Sequence, residues 1–464
     1  GALASHSHMS DLPRIAFLWL ESFFLPKSFL RYSYFFLTII LGPLGFYFLF
    51  NFIFNKRSSL WGNLASFLAS SCYLLNLITL QHFFVPFEMF SVQFAFLPWI
   101  FLFSLKFLEE AGIKNLLFFF LISFLASPQA YASALYWAFL AGFSLFLAAY
   151  LFFHYRKKIF GKVFILFVLQ ILANLYWLAP NVYSALNGSP TIINSKINRL
   201  FSPEAFIRNE EYGTFKDIAV GKNFLFDWRA FDFNSNTFVD LMDVWNKHLE
   251  SPYVEEIGYA VFGLSILGLF ISFFKREKVA ISFLPVLFLA VFFLQNLNGP
   301  FGFVYQRLVA NFEIFREGFR MPFTKFSILY RFVISFYFGA FFFYFFGFLL
   351  RIKILRFVSV VLFFVFFSFL VYFSLPTFKG NFISDVVRKK MPNEYFEAFD
   401  FFEHNPFGRV AFLPTHSLWG WEYHNWGYEG SGFLGFGIRN PLLVRDYDRW
   451  SPYNETFYNE ASNI

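Results

Sequence analysis

Residues 131–162 read YASALYWAFLAGFSLFLAAYLFFHYRKKIFGK. From Tyr131 to Phe153 no residue is charged. That stretch exceeds the roughly 20 apolar residues a helix needs to cross a bilayer core. Arg156, Lys157, Lys158 and Lys162 follow at once. An apolar run closed by a basic cluster is the mark of a spanning helix that ends on the cytoplasmic side.

Working outward, the same grammar recurs. Apolar spans are expected at about 32–54, 60–80, 90–105, 115–127, 131–153, 163–180, 257–274, 279–297, 323–349 and 357–375. The fourth is short and stops before Pro128, so a re-entrant segment is an alternative there. The short connections alternate in charge. Lys56 and Arg57, then Lys106 and Lys114, then the Arg156 cluster, then Lys275, Arg276 and Lys278, then Arg351, Lys353 and Arg356 occupy every second one. The connections between them are free of Lys and Arg, mixed, or long and polar. The alternation holds only if the fourth segment crosses, which predicts an all-α polytopic membrane protein of about ten helices. Lys27 and Arg31, just before the first span, run against the rule.

Composition agrees. The 464 residues are 58% hydrophobic and 14% charged, with 83 Phe and a formal charge of +7. A soluble domain carries about 25% charged residues. Much of the excess positive charge flanks spans, so topology accounts for it without nucleic acid. Cys72 is the only cysteine, which rules out an intrachain disulfide.

The alternation places five regions. Residues 1–29 form an outer N-terminal segment and 30–180 hold helices one to six. Residues 181–256 form an outer loop domain, and 257–375 hold helices seven to ten with an outer loop at 298–322. Residues 376–464 form an outer C-terminal segment. The outer regions read as small α/β caps rich in aromatics, with a helix at Asn393–Asn405 and a strand at Arg409–Leu413. Both ends of the chain fall outside the cytoplasm, in a plasma-membrane, multi-pass protein. An outer start before an even number of spans suggests an earlier span upstream of Gly1, with residues 1–29 the tail of the first outer loop.

Three groups of outer residues could carry chemistry. EIFREGFRMPFTKF (Glu313–Phe326) brings Arg316, Arg320 and Lys325 to the mouth of a span. Pro322 suits the first turn of a helix starting near Phe323. A helix N-terminus beside Arg and Lys binds anions, phosphate above all. Pairing of the arginines with Glu313, Glu317 or lipid head groups is the plainer reading. The second group lies in Leu413–Tyr453, where Trp419, Trp421, Tyr423, His424, Trp426 and Tyr428 crowd together. Such rings stack on sugars or fill a cap core. His416 and His424 lack a third ligand at metal spacing, so no metal site is expected. The third group is carboxylates: Asp11, Glu21, Glu210, Glu211, Asp217, Asp227, Asp232, Asp240 and Asp243, each read first as a solvated loop charge. Asp446-Tyr447-Asp448 alone has D-x-D spacing. Within the spans Arg331 is the one ionisable residue that stands out. The lack of buried Asp, Glu or Lys elsewhere argues against an ion-coupled transporter.

These residues resemble the GT-C class of membrane glycosyltransferases, and more narrowly the membrane region of bacterial cell-wall arabinofuranosyltransferase-like proteins. The carrying features are Arg320-Met-Pro322-Phe-Thr-Lys325-Phe326 opening a late span, and Asn174-Leu-Tyr176-Trp177 closing one. Leu413-Pro414 followed by Gly427-Tyr428-Glu-Gly430-Ser-Gly432-Phe433 is the third. The layout match covers residues 30–375. The resemblance implies a polyprenyl-phosphate sugar donor held at Arg320 and Lys325 with Arg316 nearby, and a glycan or lipid acceptor at the aromatic tail. It implies a catalytic carboxylate in the first outer loop, where Asp11 is the nearest Asp, unless the base lies upstream of Gly1. It makes no cofactor certain, and leaves the need for a divalent cation open. A non-catalytic scaffold or glycan-binding assembly protein is the alternative, and a lipid-linked-glycan transporter a further one.

Overall fold

The computed structural model describes residues 6–55, 59–194, 210–232, 235–350, 355–384, 389–412, 421–431, 433–434, 437–443 and 460. Among them, eight helices are long and apolar enough to cross a membrane: Lys27–Phe54, Glu88–Glu109, Ile113–Tyr131, Ser133–Phe153, Lys157–Asn187, Val254–Phe274, Lys278–Gln295 and Phe323–Leu349. A ninth is broken, Leu60–Leu74 and Leu77–Phe84 meeting at 46°. The tenth expected span is a shorter apolar helix, Phe357–Phe373. The chain is thus an all-α polytopic membrane protein. The sixth helix does not stop near residue 180 but runs on to Asn194. Falling hydropathy marked where the chain leaves the apolar layer, not where the helix ends.

In an apolar layer every backbone group needs a protein partner. Asn76 breaks the second span, its side-chain oxygen capping the Leu77 helix by accepting from the Thr79 N–H at 2.9 Å. Its amide nitrogen donates to the carbonyls of Cys72 (3.1 Å) and Tyr73 (2.8 Å). Arg331 donates to the same Cys72 carbonyl from Nε at 3.1 Å and Nη2 at 2.7 Å. A second gap arises at Pro98, which lacks the N–H that would bond the Phe94 carbonyl one turn back. The Tyr73 hydroxyl takes that carbonyl at 2.9 Å.

Helix contact follows small residues. The Val254–Phe274 helix turns Gly258, Val261, Ser265, Gly268 and Ser272 inward. Its backbone reaches the Phe323–Leu349 helix so closely that a Cβ at Gly268 would lie 1.9 Å from the Tyr337 carbonyl oxygen. The Phe323 helix is central, and nearly every residue from Phe326 to Ala340 is buried.

The helix ends sort into two sets. At one end Arg31 bonds Glu88 (2.7 Å), Ser127 bonds the Ser10 carbonyl (2.9 Å), and Gln81 bonds the Gly221 carbonyl (2.7 Å). Asn296 bonds the Tyr212 carbonyl there at 2.9 Å. At the other, Phe54 packs on Tyr344, Tyr344 bonds Glu277, and Lys162 bonds the Leu108 carbonyl (2.7 Å). Glu277 and Lys162 belong to connections that charge counting assigns to the basic face.

Beyond the spans, residues 210–254 close over the first set of ends. They hold a helix at Phe215–Val220, a hairpin pairing Arg229–Asp232 with Thr237–Asp240, and a helix at Asp243–Leu249. Trp245, Phe226 and Met242 bury against Leu77, Leu80, Phe84 and Phe373. The tail holds the expected helix at Asn393–His404. Of the strand expected at Arg409–Leu413, Val410–Ala411 forms among the described residues, paired in parallel with Leu442–Leu443, and Leu413 lies outside them.

Candidate functional site

Phe323 begins the central helix with Pro322 at its N-cap and no side-chain cap. The backbone N–H groups of Lys325 and Phe326 both bond the Pro322 carbonyl at 3.0 Å. The N–H groups of Phe323 and Thr324 lie ahead of that acceptor and give this end its partial positive charge. Lys325 stands in that turn, half-buried, its Nζ donating to Thr324 Oγ1 at 2.8 Å. Arg320, half-buried in the bend before the helix, lies close enough for its charge to act on Lys325. Among the described residues, no carboxylate forms an ion pair with Lys325.

His82 completes this corner. It is 4% exposed, its ring stacked on Phe323 at 5.5 Å, with Nε2 2.7 Å from Ser327 Oγ. It too lies within electrostatic reach of Lys325. Arg320 from the bend, Lys325 from the central helix and His82 from the Leu77–Phe84 helix therefore gather at one helix N-terminus. Sequence reasoning passed over His82 because it sits in an apolar run. The signal was available in its being the only histidine between Met9 and His154.

Arg316 stands apart. It ends the short Glu313–Gly318 helix and pairs with Glu313 at 3.4 Å, as the plainer reading expected. This leaves Lys325 as the stronger cation for an anion, with Arg320 beside it.

Asp11 is 5% exposed at the head of the Leu12–Glu21 helix. Arg14 grips both its oxygens, Nε to Oδ1 at 2.8 Å and Nη2 to Oδ2. Arg14 reaches on to Glu88 Oε1 at 3.8 Å, and Arg31 holds the same oxygen at 2.7 Å. Beside this chain of charges, Ser127 Oγ bonds both the Ser10 carbonyl and Tyr176 OH (2.6 Å). Tyr176, noted for its place at the close of a span, thus meets the Asp11 segment. Asp11 and Lys325 occur at the same end of the helices but in separate hydrogen-bond networks. Glu88, missed in the sequence because it borders an apolar run, is a second carboxylate here.

In the tail, His424, Trp426 and Tyr428 gather on a tight turn in which Gly427 takes φ of 88°. Tyr395 OH lies 3.1 Å from His424 Nδ1, Trp426 stacks on Tyr428 at 5.3 Å, and Phe433 packs beneath. Trp421 and Tyr423 lie on the adjoining strand, Trp421–Tyr423, paired with Glu429–Ser431. Trp419 and His416 lie outside the described residues, as do Asp446 and Asp448. The rings first fill one another's faces, so the cap-core reading accounts for much of this cluster. Among the described residues, no three His, Cys, Asp or Glu side chains gather as metal ligands would.

Comparison with protein-family models, curated proteins and solved structures returned no match.

Proposed function

We propose that the chain is a GT-C-like glycosyltransferase of the plasma membrane, moving sugar from a polyprenyl-phosphate donor to a glycan or lipid acceptor outside the cytoplasm. The observation that carries this reading is Lys325. It stands at a helix N-terminus beside Arg320 and His82, and among the described residues no carboxylate pairs with it. A half-buried cation without a counter-charge is costly unless a ligand supplies one. A phosphate at the membrane surface fits the charge, the helix terminus and the apolar surroundings. In this reading Lys325 and Arg320 hold the donor phosphate, with Arg316 at the rim. Residues 210–254 and the tail are extracytoplasmic caps, and both chain ends face outward. A carboxylate near Tyr176, Asp11 or Glu88, takes the acceptor proton once the acceptor displaces Arg14.

The bidentate Asp11–Arg14 pair favours a second reading, a non-catalytic scaffold or glycan-binding protein on the same frame. A base engaged at both oxygens is poorly placed to accept a proton.

Native mass spectrometry of the purified protein with decaprenyl phosphate and with decaprenol tests the donor site. The phosphate should bind at least ten-fold more tightly than the alcohol, and Lys325→Met should remove that preference. Equal retention of both lipids, or a preference unchanged in Lys325→Met, would sink the proposal.

A further inference from the structure

A cavity of about 250 Å³ opens between the Arg229–Asp240 hairpin, the Asp243–Leu249 helix and residues 381–384. Its floor is apolar, formed by Phe84, Met242, Trp245 and Ile383. Its rim carries two carboxylates, Asp240 and Asp243. The volume falls just below the roughly 300–1,000 Å³ of pockets for drug-sized ligands, so it suits one ring-sized group.

The electrostatics narrow the occupant. Asp240 pairs with Arg229 across the hairpin at 3.5 Å, and Asp243 with Lys247 one turn along its helix at 2.7 Å. The rim is therefore charge-balanced and does not call for a cationic ligand. Both carboxylates remain about half exposed, 45% and 48%. Each carboxylate offers about four lone-pair sites, more than one ammonium or guanidinium contact fills. An apolar floor below acceptor oxygens matches a sugar ring, which turns C–H groups to one side and hydroxyl donors to its edge.

The walls are fixed from beneath. Trp245 Nε1 donates to the Asn381 carbonyl at 2.9 Å, and the Ser384 N–H donates to the Phe84 carbonyl at 2.8 Å. Phe84 lies two residues beyond His82 on one short helix, about 3 Å along its axis and about 200° around it. The cavity and the cationic corner thus flank the last turn of that helix.

We infer that this cavity binds a neutral carbohydrate ring through Asp240 and Asp243, as the acceptor subsite, an assignment of role that rests on the transfer reading.

Saturation-transfer NMR on the full chain in amphipol, which has no sugar head group, tests the inference. The probes are the methyl glycosides of glucose, galactose, mannose and arabinose, with cyclohexanol and tetramethylammonium for comparison. At least one glycoside should bind in preference to both comparison compounds. Binding should weaken at least five-fold in Asp243→Asn and in Val244→Trp, whose half-exposed side chain lines the cavity. It should persist in Trp426→Ala and in Lys325→Met. Persistence in Lys325→Met separates this site from the donor reading, which fails or stands on decaprenyl phosphate. No glycoside binding, tetramethylammonium in place of sugar, binding unchanged in Val244→Trp, or loss confined to Trp426→Ala would each overturn it.

Discussion

Two cations less than two turns apart on the central helix have opposite roles. Arg331 makes two hydrogen bonds to the Cys72 carbonyl and one to its sulfur, so it repairs the break at Asn76. Intramembrane arginines are functional candidates by default, and here the geometry gives a structural reason instead. Arg331→Leu should cost about 1–3 kcal/mol by leaving that carbonyl short of donors, read as a lower melting temperature in detergent. Lys325→Met should leave the melting temperature unchanged or raise it, because functional sites often hold charge at a cost in stability. The reverse ranking of the two variants would contradict both assignments. A third residue gives a pH dependence. Burial pushes the His154 imidazole below its ordinary value, and Lys278 adds to this while the Tyr150 carbonyl opposes it. A depressed folded-state value means that the unfolded chain binds the proton more readily. The stabilising contribution is therefore complete above pH 6.5 and lost as pH falls. His154→Gln should flatten the decline in melting temperature between pH 7 and pH 5, and an unchanged decline would count against it.

At the scale of elements, the spans were readable because twenty apolar residues and a basic flank are local facts. The break at Asn76 was not. Besides Asn76 itself, Arg331, a residue distant in sequence, satisfies the Cys72 carbonyl there, and no local pattern announces that partnership. The Pro98 gap was hidden in the same way, since Tyr73 supplies the missing donor from another helix. The structure adds that small residues at Gly258, Ser265 and Gly268 form a contact face. Gly268→Leu should destabilise the protein by about 1–3 kcal/mol, because the new side chain meets the Tyr337 backbone. Thermal denaturation measures this, and Gly263→Leu, where a Cβ meets nothing within 4 Å, is the control. The Leu12–Glu21 helix makes a different prediction. Leu12, Ile15, Trp19 and Leu20 are exposed, while Phe17 packs on Tyr34 and Glu21 bonds Ser33. A helix with such an exposed apolar face is expected to lie in the head-group layer. A spin label at Trp19→Cys in nanodiscs should report a depth at the acyl boundary, and full exposure to a water-soluble relaxant would contradict this.

For the whole molecule, charge alternation assigned ends to two faces, and the contacts between helix ends sort them the same way. The proposed orientation puts the basic connections in the cytoplasm. A cysteine at Tyr155 should therefore label from the cytoplasmic side alone. The candidate site was legible in part. Arg320, Pro322 and Lys325 are neighbours in sequence, so their convergence on one helix start could be read there. His82 joins them only through the broken helix, and the cavity at Asp240 and Asp243 needs three separated segments to exist. The central claim is sugar transfer from a lipid phosphate, and turnover tests it most directly. Proteoliposomes would be supplied with a panel of radiolabelled decaprenyl-phosphate sugars, arabinofuranose among them, and transfer to a glycan or lipid acceptor would be followed. The account predicts transfer from at least one donor, falling at least a hundred-fold in Lys325→Met. No transfer from any donor by protein that still binds decaprenyl phosphate would contradict it.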